Sequence, residues 1–157
     1  MSNGPITDMK RRLMLELAQD RDLFDLINNK DIDFDCCDDL IYNNIFPFLK
    51  VDFTETQAGN YIGIGLDFPL IRERDTYKNS QITLLIICST NSLRLGNSSY
   101  SRADAMSERI IEMLQNTSAF GFPMSLYSDT EGIHSSRFYY RKLIFQSKAT
   151  NLTGECQ

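Results

Sequence analysis

The run at residues 81–90, QITLLIICST, constrains the fold more than any other stretch of the chain. Ile82, Leu84, Ile86 and Cys88 alternate along one side, and Leu85 and Ile87 occupy the other. A strand with apolar side chains on both faces belongs in the middle of a sheet that is covered on both sides. The rest of the chain must therefore supply neighbouring strands and covering layers. At 157 residues it has the length for this, since a domain of that size buries roughly 70% of the surface its unfolded chain exposes.

The first third reads as helix. Met9, Leu13 and Leu17 recur every four residues behind a possible cap at Thr7 or Asp8, and residues 21–28 carry Leu23, Phe24, Leu26 and Ile27. An aspartate-rich interruption at residues 31–39 leads to LIYNNI and then Phe46-Pro47, where the proline disfavours α geometry in the residue before it. From Phe48 the period changes to two, giving expected strands over residues 48–53 and 61–68. A polar excursion over residues 72–80 and the central run follow, and then a long polar connection, SLRLGNSSYS. Ser101 and Asp104 match a capping box before the apolar stripe Ala103, Met106, Ile110, Met113 and Leu114. A loop over residues 117–123, a short strand over 124–128, a polar turn containing Gly132 and a long tyrosine-rich strand over 137–147 complete the reading.

This order predicts an α+β fold: a single-layer, mostly antiparallel sheet packed against N-terminal helices and one central helix. One domain is expected over residues 1–157, with N-terminal helices over 6–46, a sheet-plus-helix core over 47–148 and a flexible tail over 149–157.

The stretch YIGIGLDFPLIR, residues 61–72, holds the Gly63-Ile-Gly65 half of a dinucleotide fingerprint. The fingerprint needs a third small residue and a helix opening straight after the second glycine. Phe68 and Pro69 stand there instead. The alternation places Tyr61, Gly63, Gly65 and Asp67 on the second face of a strand, and that nearly bare face suits close approach by a helix or another subunit.

Other constellations are similarly incomplete. The series Asp31, Asp33, Asp35 is similar to the start of a calcium loop, but Cys36 replaces its glycine and Tyr42 its bidentate glutamate. A solvated acidic loop is the expectation. His134 is the only histidine and lies in a turn-like setting with no nucleophile elbow. Cys36, Cys37, Cys88 and Cys156 form neither a disulfide framework nor a zinc pattern. No cofactor, metal or catalytic residue is expected, and the chain reads as a non-enzyme. The apolar runs are too short for a membrane span, and MSNGPITDMKRR lacks the apolar region of a signal peptide, which together suit a reducing cytoplasm.

The net charge of −5 argues against sequence-reading nucleic-acid binding. It is unevenly spread: from Glu16 to Glu55 there are eleven acids against three bases. Two basic, aromatic groups stand apart from this acidic third: Arg72, Arg74, Tyr77 and Lys78 on the polar excursion, and Arg141 and Lys142 with their tyrosine neighbours on the last strand. Arginine and tyrosine are enriched at interfaces, so the first group is the candidate hairpin contact and the second a candidate edge contact.

DLIYNNIFPF, YIGIGLDFP, ITLLIICS and RADAMSERIIEML, taken in order over residues 23–146, resemble the small neck proteins of tailed bacteriophages, the tail-terminator, tail-completion and head–tail connector group. The resemblance implies a structural virion protein that forms a ring, commonly a hexamer, ends the tail tube and joins it to the portal or connector. It implies a lumen through which DNA passes without sequence-specific binding, and assembly in the host cytoplasm into the virion neck. The longer connection at residues 89–101 departs from the group's pattern. Two rivals stand beside this reading: a metal-dependent nuclease or phosphohydrolase using the acidic cluster from Asp31 to Asp39, and a monomeric adaptor.

Overall fold

In the computed structural model, which describes residues 5–49, 59–67, 70–71, 76–77, 80–115 and 124–147, helix α1 (Pro5–Gln19) comes first. It starts earlier than the cap signal at Thr7 or Asp8 implied, because a proline at the first helical position forfeits no hydrogen bond and has its φ already set. Asp8 instead sits in the first turn, where a carboxylate favours the positive end of the helix. The four-residue spacing delivers Leu13, Leu17 and Ala18 fully into the core. Helix α2 (Arg21–Ile27) is capped by Asp20, whose side chain accepts from the Leu23 N–H, and ends at left-handed Asn28, φ 57°. A 3-10 segment, Phe34–Leu40, follows.

The expected helical region over 6–46 ends at that segment. Ile45–Phe46 is instead a short strand, β1, running parallel to β2 (Asn60–Asp67). Its strand geometry agrees with the demand that Pro47 places on Phe46. The hairpin β3 (Leu70–Ile71) and β4 (Thr76–Tyr77) forms a separate two-stranded sheet. Then come β5 (Gln81–Ser89), α3 (Arg102–Leu114), β6 (Met124–Ser135) and β7 (Phe138–Ser147). The main sheet has the order β1-β2-β5-β7-β6, antiparallel except for β1 with β2. The fold is α+β, and the run that is apolar on both sides is its central strand.

One face of this sheet carries the core. Ile62, Ile64, Ile82, Leu84, Ile86, Leu143 and Phe145 have no exposed surface and join the apolar stripes of the three helices in one cluster. The capping box at Ser101 and Asp104 forms as the sequence indicated, with both reciprocal bonds present, and sets where α3 enters that layer.

Three expectations on the sheet are corrected. The described part of the expected strand over 48–53, Phe48 and Leu49, is a bend, and its remainder lies outside the described residues. The polar turn at Gly132 is strand: β6 runs through it with irregularities at Leu126/Ser128 and Ile133/Ser135, and the chain reverses at residues 136–137. Gly132 tolerates this place because the Tyr140 ring lies across it, so that a Cβ would stand 2.9 Å from Tyr140 Cε1. His134, expected in a turn, is part of β6 as well. The tail over 149–157 lies outside the described residues.

Candidate interaction surfaces

The glycine face of β2 is where the structure departs furthest from a smooth sheet. A Cβ on Gly63 would stand 2.7 Å from the Phe48 carbonyl oxygen and 3.3 Å from Leu49 Cα; one on Gly65 would stand 2.8 Å from Leu49 Cδ1. The bare face thus receives the chain's own Phe48–Leu49 segment, where a helix or a second subunit was expected. The absence of side chains at 63 and 65 lets this segment lie directly on the strand. Phe46, Phe48 and Tyr61 cluster beside it, with ring centroids 5.6 Å apart for Phe46–Phe48 and 6.2 Å for Phe46–Tyr61. Burial pushes the Tyr61 phenol above its ordinary pKa. Phe48 remains 46% exposed and Leu49 36%, so an apolar ledge faces outward from the back of the sheet. Sequence reasoning missed this ledge, although Phe-Pro-Phe-Leu before a glycine-spaced strand was its signal.

Of the hairpin contact group, the backbone of Tyr77 lies in β4 opposite Leu70, while Arg72, Arg74 and Lys78 lie outside the described residues. The hairpin itself follows β2 directly, three residues after Asp67.

Arg141 and Lys142 are not on an edge. Their strand β7 lies between β5 and β6, and the two side chains alternate to opposite faces. Arg141 is only 11% exposed, with Nη1 donating to Asp104 at 2.8 Å, Nε to Asp129 at 2.9 Å and Nη2 to the second Asp129 oxygen. Its charge is engaged inside the subunit, latching the first turn of α3 to strand β6. Lys142 is exposed, on the face it shares with Leu85 and Thr130.

Two more arginines hold α3. Arg109 forks onto Asp20, with Nε–Oδ2 2.9 Å and Nη2–Oδ1 2.6 Å, and also reaches Glu112. The Arg109 guanidinium holds the Asp20 carboxyl below the ordinary carboxylate value, while Asp20 in turn raises Arg109. Arg102 donates to the Leu26 carbonyl at 2.6 Å and the Ser92 carbonyl at 2.8 Å, which satisfies backbone acceptors near the end of α2 and in the connection after β5.

In the acidic segment, Asp31, Asp33, Asp35, Asp38 and Asp39 are all exposed. Among the described residues, no three His, Cys, Asp or Glu side chains come together as a metal cluster. Cys36 is exposed; the Cys37 thiol is raised by desolvation and by the Asp38 charge. Cys88, in the core, is pushed up to about 12 by burial and is an inert small hydrophobe. Among the described residues, no helix is long and apolar enough to cross a membrane.

A family model described as YomW matches residues 20–147. No curated protein and no solved structure matches the chain. The matched span starts at the Asp20 cap and ends with the last residue of β7, so it takes in the whole sheet, α2, α3 and the arginine latches, and leaves out α1.

Proposed function

This chain belongs to the YomW family, whose phage-like gene-product name suggests a phage-associated protein, and from that premise we propose that it is a structural component of the phage neck. In this reading it forms a ring, a hexamer by preference, that ends the tail tube and joins it to the portal or connector. DNA passes its lumen without sequence-specific contact, and the protein acts by docking rather than by chemistry. The family match over residues 20–147 supports the phage association, and the neck role is our extension of it.

The outward ledge of Phe48 and Leu49 supports it, because exposed apolar and aromatic side chains are the material of protein interfaces. In the sequence, Arg72, Arg74, Tyr77 and Lys78 follow soon after the same strand. An acidic N-terminal third and this basic segment give the sequence two stretches of unlike charge, the kind of complementarity a closed head-to-tail ring uses.

Native mass spectrometry and negative-stain imaging of the purified protein, alone and mixed with tail-tube and portal proteins, test the reading. Closed rings, either alone or on adding those partners, are the expected result. A protein that stays monomeric and joins neither partner overturns it.

A further inference from the structure

A cleft of about 290 Å³ opens where the end of α2, the turn before β1 and the start of β2 meet. Four of its lining residues are asparagines: Asn28, Asn29, Asn43 and Asn44. Three of the carboxamides are bonded in place. Asn29 Nδ2 donates to Asn44 Oδ1 at 2.7 Å, Asn44 Nδ2 to the Asn60 carbonyl at 2.9 Å, and Asn43 Nδ2 to the Asp39 carbonyl at 2.6 Å. Behind them, Asn60 Nδ2 donates to the Ile27 carbonyl at 2.9 Å. Asn44 and Asn60 are buried, at 5% and 3% exposure, so the back wall is rigid. Each primary amide has two N–H donors and a two-lone-pair oxygen, and the bonds above use only part of that capacity. Asn28, which lines the cleft, is held at φ 57°. That conformation is the left-handed cap that ends α2, and it turns the chain into the cleft's rim.

We propose that this cleft binds a neutral saccharide unit, recognised through its hydroxyl groups by the asparagine carboxamides. The chemistry selects this class by exclusion and by match. An apolar ligand has no counterpart in a wall of amides. An anion is disfavoured because Lys30, the one cation lining the cleft among the described residues, is followed by Asp31 and a loop of exposed aspartates. A carboxamide donates and accepts at once, and so does a hydroxyl, so a sugar's hydroxyls can replace, bond for bond, the waters such a cleft holds. At about 30 Å³ per water the volume corresponds to about ten waters, room for a single sugar ring. Half-buried Tyr61 packs over Gly59, where a Cβ would stand 2.7 Å from the Tyr61 hydroxyl oxygen, and adds an aromatic side chain to the cleft wall. Because Asn29, Asn43 and Asn44 are already held by hydrogen bonds within the chain, binding loses little side-chain entropy there.

The test is a titration of the full-length protein with D-glucose and with N-acetyl-D-glucosamine, followed by the side-chain amide signals of a ¹⁵N-labelled sample and by calorimetry. Saturable shifts confined to the cleft's asparagine amides, with affinity in the millimolar range or tighter for either sugar, are expected. Inorganic phosphate is expected to leave those signals unmoved. Asn28→Gly, which suits the positive φ, and Asn43→Ala, both at exposed positions, each remove a lining carboxamide and are expected to weaken binding at least about fivefold while shifting the melting temperature little. If one variant fails to fold, the other carries the comparison. Absence of shifts with both sugars, shifts located elsewhere, or tighter binding of phosphate than of sugar overturns the proposal. None of these outcomes depends on whether the protein forms a ring.

Discussion

The two faces of the sheet are built by opposite means. On the helix-covered face, Ile62, Ile64, Leu84, Ile86, Leu143 and Phe145 reach zero exposure by filling space with side chains. On the other face, Gly63 and Gly65 achieve contact by having no side chain: the Phe48–Leu49 backbone crowds the place of a Cβ at 63, and the Leu49 side chain crowds it at 65. The first face is vulnerable to the loss of atoms, the second to their gain. Close packing makes both changes costly, but the size of the cost depends on what can move to accommodate it.

The largest effect is expected from Phe145→Ala. The ring is fully buried among residues from the helices and the sheet, and its removal leaves a cavity that three packed helices cannot fill. A loss of about 3–5 kcal/mol is expected, read as a fall in the urea midpoint with an unchanged slope. A loss under about 1 kcal/mol would mean that the helical layer adapts to voids, and the contrast between the faces would fail.

Arg141→Met tests the latch on the same face. A methionine keeps much of the stem's packing but leaves Asp104 and Asp129 facing each other without a cation. Breaking a fully buried pair costs about 3–5 kcal/mol; with Asp104 32% and Asp129 28% exposed, about 2 kcal/mol is expected here. The double variant with Asp129→Asn should recover part of it, because one of the uncompensated charges is gone. Both values come from denaturant melts.

How much of this was legible beforehand follows the range of the interactions. The capping box at Ser101 and Asp104, the stripe of α3 and the double-faced strand β5 are set by neighbours within a few residues, and the sequence displayed them. Local chemistry misled at Gly132, where a glycine among polar residues looks like a turn; its real partner is the ring of Tyr140 on the adjacent strand. Arg141 was read as an exposed edge cation because its partner Asp104 lies 37 residues away and the place of β7 in the sheet depends on β6 pairing outside it. The glycines of β2 were correctly read as a bare strand face, yet the occupant could not be read, since β1 pairs parallel to β2 through a connection with no local signature. The cleft of asparagines was invisible for the same reason: its members come from three segments.

On the back face, Gly63→Ala and Gly65→Ala form a matched pair. At 63 the added methyl meets a backbone carbonyl oxygen at 2.7 Å, and at 65 it meets the end of the Leu49 side chain at 2.8 Å. A carbonyl fixed by its chain cannot step aside, whereas a leucine can change rotamer. Gly63→Ala should therefore cost about 1–2 kcal/mol. At Gly65→Ala the backbone gain from replacing glycine, roughly 0.5–1 kcal/mol, should offset most of the clash. Equal effects at the two sites would mean that the segment at residues 48–49 is not held against β2. Thermal melts of both variants at one pH suffice to read the difference.

The smallest effect separates the faces by pH. Asp20 both caps α2 and receives the Arg109 fork, and that pairing lowers its folded-state pKa from the ordinary 3.8. A carboxyl lowered on folding contributes stability above pH 3.8 and loses it as pH falls through the lower, folded-state value. Asp20→Asn keeps an equally good cap and removes only the charge. At pH 7 the variant should be less stable by no more than about 1 kcal/mol, the scale of a partly exposed pair. As the pH drops below 3.8 the wild-type protein protonates and loses the same contribution, so the two stability curves should converge. Gly63→Ala, with no titrating group involved, should keep a constant offset from wild type over the same range. Urea melts stepped from neutral pH into acid distinguish the two behaviours. A constant offset for Asp20→Asn would assign the role of Asp20 to cap geometry alone and remove the ionic latch from the account of the helical face.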